Sequence, residues 1–157
     1  MNLQNKVNQY PMKELGPIIC EFLNSGKNVE ITARGNSMRP MLKNLKDRLT
    51  ISPVNTGELS VGDVIFYRRE SGVFVVHRIV DKCENGNLIL MGDFQVAKEE
   101  ITPSAVLGKV TAFVRNNKAY ATSHKGYQAY VKFWVKTRFW RKVYMSLSYR
   151  LGRVKYE

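Results

Sequence analysis

The chain has 157 residues, 44% apolar and 24% charged, enough to bury the core of one domain and too apolar for wholesale disorder. Its two cysteines, Cys20 and Cys83, stand far apart with no metal-ligand spacing, which argues against an extracellular disulfide framework and predicts reduced thiols. Of the net charge of +12, residues 110–157 carry +10 (eleven Lys and Arg against Glu157), and residues 1–109 carry +2 (fourteen bases against twelve acids), so a claim on nucleic acid or membrane would concern the second part alone.

Residues 1–27 read as an N-terminal helical segment. Met12, Leu15, Ile18, Ile19, Phe22 and Leu23 recur at three- and four-residue spacing over residues 11–24, and "NSGK" supplies a stop. Gly16-Pro17 is the point where such a helix would break or restart. Lys13, Glu14, Pro17 and Glu21 interrupt any signal-peptide core, and no stretch reaches the roughly 18 apolar residues of a membrane span. A cytoplasmic protein, with at most peripheral membrane contact, is expected.

Residues 28–120 change to the period and composition of strands. "VEIT", "RLTIS", "DVIFYR", "VFVVHRIV", "NLILMG" and "VLGKVTAFV" are short and rich in Val, Ile, Phe and Thr. Turn chemistry separates them: Pro53 with Asn55-Thr56-Gly57, Gly62-Asp63, Ser71-Gly72, Asn85-Gly86-Asn87, Gly92-Asp93 and Asn116-Asn117. Asn85-Gly86 predicts a hairpin, and the whole predicts a mainly β, compact and strongly bent domain.

Residues 121–157 form a basic aromatic extension. Residues 127–150 contain no Gly or Pro and read as a helix. Phe133, Trp134, Phe139, Trp140, Val143, Tyr144 and Leu147 make a wide apolar arc with bases interleaved. Such a helix can lie in an anionic membrane surface, pack its aromatics on the β-domain, or bind nucleic acid. The last is disfavoured, because no helix-turn-helix pattern is visible.

The chemistry centres on "TARGNSMRPML", which places Ser37 after the "VEIT" strand. A serine beside Gly-Asn is ordinarily a turn residue; it becomes a nucleophile only with a base in reach. The chain has two histidines, His77 inside an apolar strand and His124 in the loop "ATSHKG". Period two puts His77 on one face with Val75 and Ile79, and Val76 and Arg78 on the other. Asp63 reads as a turn-closing residue, whereas Asp93 stands where it could border a site.

The ordered motifs "GNSMRPML", "LSVGDVIFY", "VVHRIV", "LILMGDFQVAKEEI" and "VLGKV" resemble the signal peptidase superfamily, which includes the self-cleaving SOS-type repressors. The resemblance covers roughly residues 29–114 and implies a compact bent β-sheet peptidase domain, to which the short N-terminal helix and the basic C-terminal one read above would be added. It implies Ser37 as nucleophile, with Met38 and Pro40 shaping the turn behind it. "VVHRIV" is similar to the endoplasmic-reticulum and archaeal type, whose base is a histidine, so His77 is the implied base. A free imidazole, with a pKa near about 6.5, is largely neutral at pH 7. The orienting acid is implied to come from "GDFQVAKEE", as Asp93 or Glu99. The chain departs from the family's Ser-x-Ser in having Gly35 at the first position. An oxyanion would then rest on backbone N–H groups of the Gly35-Asn36-Ser37 turn. No membrane anchor is read ahead of the first motif.

The expectation is therefore a serine endopeptidase of the signal-peptidase type, acting on an extended peptide or leader segment, without cofactor or metal. The rival is an inactive module that binds a peptide or membrane on the same fold. A self-cleaving repressor fits poorly, since it would want a lysine in place of His77, an upstream scissile Ala-Gly or Cys-Gly pair and a DNA-binding domain.

Overall fold

A computed structural model of the chain describes residues 11–137 together with Trp140 and Val143. Helix α1 (Met12–Asn24) opens the described part. It runs through Pro17 without breaking, and buries Gly16, Ile19 and Leu23. Gly16 is what brings the helix close to the sheet: a Cβ there would lie 2.1–2.4 Å from three ring carbons of Phe74. The dipeptide read as a breaker is thus a packing contact.

The strands are β1 (Val29–Thr32), β2 (Arg48–Ser52), β3 (Val64–Arg68), β4 (Phe74–Lys82), β5 (Leu88–Met91), β6 (Glu99–Ile101), β7 (Val106–Arg115) and β8 (Lys118–Ala121). They form one antiparallel sheet in the order β1-β2-β7-β3-β4-β5-β6, with β8 also paired to β7. Strand β7 joins the two halves, pairing with β3 through Val106–Lys109 and with β2 through Lys109–Val114. Register shifts at Thr50/Ile51, Phe66/Tyr67 and Ile79/Asp81 supply the local twist and bend that β-bulges bring.

The sheet buries both faces. The larger cluster gathers Ile31, Leu49, Val64, Phe66 and Val110 with helix residues Ile19, Leu23, Tyr127 and Val131. The smaller one gathers Leu59, Ile65, Tyr67, Ile79, Leu88 and Leu90. Strand β3 contributes alternate residues to each, which is why "VIFY" is a continuous apolar run.

Two strands went unread in the sequence. Strand β6 is three residues with two acids, and β8, "KAYA", is exposed throughout. Neither has an apolar face; backbone pairing to β5 and β7 makes them strands. The turn before β8 was legible: Asn116 and Asn117 have φ of 50° and 60°, the pair of positive values that a type I′ hairpin requires. Cys83–Asn87 closes the expected β4–β5 hairpin, with Gly86 at φ 85°.

Helix α2 (Lys125–Lys136) starts two residues before the expected 127–150 span. His124 caps it, Nδ1 accepting from the Gly126 N–H at 3.1 Å. Trp140 and Val143 are again helical, and the rest of the expected span lies outside the described residues. Cys20 and Cys83 are free thiols. No described helix is long and apolar enough to cross a membrane.

Candidate functional site

His77 and Arg78 are neighbours on β4, and the pleat sends their side chains to opposite faces. His77 pairs with Ile65 in register and is buried on the side of the smaller cluster. Its Nδ1 lies 2.8 Å from Glu99 Oε1 and 3.1 Å from the Tyr67 hydroxyl. The Tyr67 hydroxyl also donates to Glu99 Oε1. Arg69 completes the group with a two-pronged contact, Nε to Glu99 Oε2 at 2.8 Å and Nη2 to Oε1 at 2.9 Å.

The β3–β4 hairpin positions this cluster. Arg69 N–H donates to Val73 O at 2.9 Å and Gly72 N–H to Arg69 O at 2.8 Å, so the connection holds Arg69 beside β6. Glu99 arrives from β6 because that short strand pairs with β5, Leu90 opposite Glu99.

Burial alone would raise the Glu99 pKa. Hydrogen bonds from His77, Arg69 and Tyr67, with the attraction of His77, outweigh it and hold the carboxyl well below the usual range. The Tyr67 phenol is pushed far up, first by burial and then by its bond to Glu99 and that residue's negative charge. An ionised carboxylate only accepts hydrogen bonds, so the Nδ1 facing it carries a proton, and in the neutral imidazole the lone pair therefore lies on Nε2. The geometry thus selects the tautomer that a general base needs.

Arg78 faces the larger cluster and is fully buried, at 0% exposure, with Asp93 at 2%. The guanidinium grips Asp93 through Nε–Oδ1 at 2.7 Å and Nη2–Oδ2 at 2.6 Å. It also donates to Gly62 O at 2.7 Å and to the Tyr127 hydroxyl at 3.2 Å, and Nη2 lies 3.2 Å from Met41 Sδ. Burial works against the charged guanidinium, but the charge and hydrogen bonds of Asp93 outweigh it and push its pKa up. Of the two acids considered for orienting His77, Glu99 holds the imidazole. Asp93 serves Arg78 on the other face. Asp63 closes its turn as read, accepting from Ser60 N–H at 2.8 Å and pairing with Lys109 at 2.9 Å.

Ser37 lies in the turn after β1. Its carbonyl accepts from Phe94 N–H at 2.7 Å, which ties the turn to the loop after β5. That approach needs Gly92: an added Cβ would fall 2.7 Å from Ser37 O. Ser37 and Met38 line an apolar cleft of about 150 Å³ with Ile31 and Thr32 of β1 and Val75 and Val76 of β4. Met38 is buried beneath the turn, Asn36 O accepts from Arg39 N–H at 3.1 Å, and Pro40, exposed, follows a cis peptide. Gly35 departs from the expected oxyanion role, since its N–H already donates to Asn44 Oδ1 at 3.0 Å. Among the described residues no hydrogen bond joins the Ser37 hydroxyl to His77, and no His, Cys, Asp and Glu cluster suits a metal ion.

Tyr67 and Arg69 escaped the sequence reading, although a signal existed. Folding "DVIFYRR" onto "VFVVHR" across Ser71-Gly72 sets Tyr67 opposite Val75, one same-face step from His77. The sequence matches no family model, and comparison with curated proteins and with solved structures finds no match.

Proposed function

We propose that the protein is a serine endopeptidase of signal-peptidase-like character, in which Ser37 attacks a peptide carbonyl and His77 takes its proton. The observation that carries this is the bond of 2.8 Å between His77 Nδ1 and Glu99. It leaves Nε2 basic, on the strand whose Val75 and Val76 share a cleft with Ser37. Glu99 would stabilise the imidazolium as it forms, and Arg69 and Tyr67 would hold Glu99 in place. The Ser37 N–H, rather than that of Gly35, would donate to the oxyanion.

The substrate class follows from unpaired backbone. Among the described residues strand β1 pairs with β2 alone, and residues 74–77 of β4 pair with β3 but not with β5, which begins its pairing at Arg78. An extended peptide laid between these edges would gain ladder hydrogen bonds and place a small apolar side chain in the cleft. Attack gives a tetrahedral oxyanion. Its collapse expels the amine, which takes the proton from His77, and leaves an ester on Ser37. Water, deprotonated by His77, then releases the acid.

The unengaged Ser37 hydroxyl favours one rival, a module that holds an extended peptide without cutting it. Incubation with a mixture of unstructured peptides, read by mass spectrometry, separates the two. Peptidase action predicts discrete new termini that disappear with Ser37→Ala, whereas the rival predicts retention of intact peptides by both proteins.

A further inference from the structure

Helix α2 divides its aromatic residues between two surroundings. Tyr127 and Val131 are buried in the larger cluster, with Tyr130 and Val135 packed against it. Trp134 stacks on Tyr130 with ring centroids 5.4 Å apart. The bond of 3.2 Å from Arg78 to the Tyr127 hydroxyl fastens the helix to β4. The other side shows Lys132, Phe133 and Lys136 to solvent. Phe133 is 64% exposed and Trp140 is 72% exposed, the two most exposed large apolar side chains among the described residues, and Val143 is exposed beyond them. Helix α2 has no acidic residue, and residues 110–157 carry a net +10.

We propose that this surface docks on an anionic lipid bilayer, with Phe133, Trp140 and Val143 entering the headgroup boundary and the surrounding Lys and Arg meeting lipid phosphates. The occupant is chosen by complementarity of both kinds. An excess of bases seeks anionic headgroups, while rings and an aliphatic side chain gain by leaving water. Nucleic acid would satisfy the bases and could stack the rings, but it has no use for Val143. The packed half of α2 fixes Phe133, Lys132 and Lys136 to the domain, so docking would also hold the β-sheet at the membrane. The inference is independent of the Ser37 chemistry, and Ser37→Ala should dock as the parent does.

The test uses the full chain carrying Trp134→Phe, which leaves Trp140 as the reporter of the two tryptophans. Vesicles of phosphatidylcholine alone are compared with an equal mixture of phosphatidylcholine and phosphatidylglycerol. The protein should float with the anionic vesicles only, and Trp140 emission should shift to the blue. Raising salt from about 0.1 M to about 1 M shortens the screening length from about 10 Å to about 3 Å and should weaken binding at least tenfold. Phe133→Ser with Trp140→Ser, and separately Lys132→Glu with Lys136→Glu, should each weaken flotation about tenfold or more while thermal melting stays at the parent value. The proposal is overturned by any of four results: no flotation at low salt, equal flotation with neutral vesicles, aromatic variants that bind as the parent does, or an oligonucleotide that binds more tightly than the anionic vesicles.

Discussion

Two adjacent residues of one strand anchor two polar clusters of opposite character. On one face, His77, Glu99, Tyr67 and Arg69 reach the surface through a Glu99 side chain that is 25% exposed and a more exposed Arg69. On the other, Arg78 and Asp93 are sealed, with Gly62, Tyr127 and Met41 as further contacts. The first cluster holds a group whose chemistry depends on which nitrogen carries a proton. The second holds two buried charges that compensate each other out of reach of water. The difference teaches that burial of charge by itself does not mark a catalytic site. Contact with solvent through Glu99 and Arg69 distinguishes the first cluster from the sealed lock behind it.

The largest effects should fall on the His77 side and appear in activity. With a cleaved peptide in hand, Ser37→Ala should lower kcat/KM by at least about 10⁴-fold, and Glu99→Gln by about 10³–10⁴-fold as tautomer control is lost. A parent-like melting temperature in Ser37→Ala, and a Glu99→Gln protein still fully folded at the assay temperature, would mark these as chemical defects. If Glu99→Gln kept full activity, the cluster would be no more than a second lock.

Next in size is the Arg78 side, where the loss should appear in folding. Arg78→Met strands Asp93 as a buried carboxylate and should cost about 3–5 kcal/mol in denaturant unfolding. Pairing it with Asp93→Leu should recover most of that loss, because two apolar residues leave no charge uncompensated. A double variant as unstable as the single one would mean that the ion pair does more than satisfy itself.

Acid sharpens the contrast. Glu99 has a depressed pKa in the folded protein, so its contribution is present above the unfolded value, near about 4.3. It is lost as pH falls through the folded value. Glu99→Gln lacks it at every pH. The stability gap between parent and variant should be about 2 kcal/mol near neutrality and should shrink as pH drops below about 4. A gap unchanged down to strong acid would contradict the ionised Glu99. The smallest effect belongs to Tyr67→Phe, which removes one hydrogen bond to Glu99 and should cost about 1 kcal/mol. Its kcat should fall a few-fold with KM unchanged, since the phenol acts through Glu99 rather than on substrate.

The strands that the chain pattern revealed are those with an apolar face or a fully apolar run. "VEIT" and "RLTIS" are β1 and β2 to the residue, and the β4–β5 hairpin turns where Asn85-Gly86 placed it. Alternation along β4 also separated His77 from Arg78 before any contact was known, because a period of two is a property of the extended chain. Helix α1 was legible for the same kind of reason, its apolar residues recurring at the pitch of a helix.

What only the tertiary structure decided are matters of partnership between distant segments. The choice of Glu99 over Asp93 depends on a three-residue strand whose sole reason for existing is its pairing with β5. The occupation of Gly35 by Asn44, the stacking of Trp134 on Tyr130 beside an exposed Phe133, and the passage of α1 through Pro17 past the Phe74 ring follow the same rule. Local sequence specifies period, turn and charge within a few residues. Which carboxylate meets which imidazole is set by the register of strands more than twenty residues apart, and that register is selected by burial of the whole sheet.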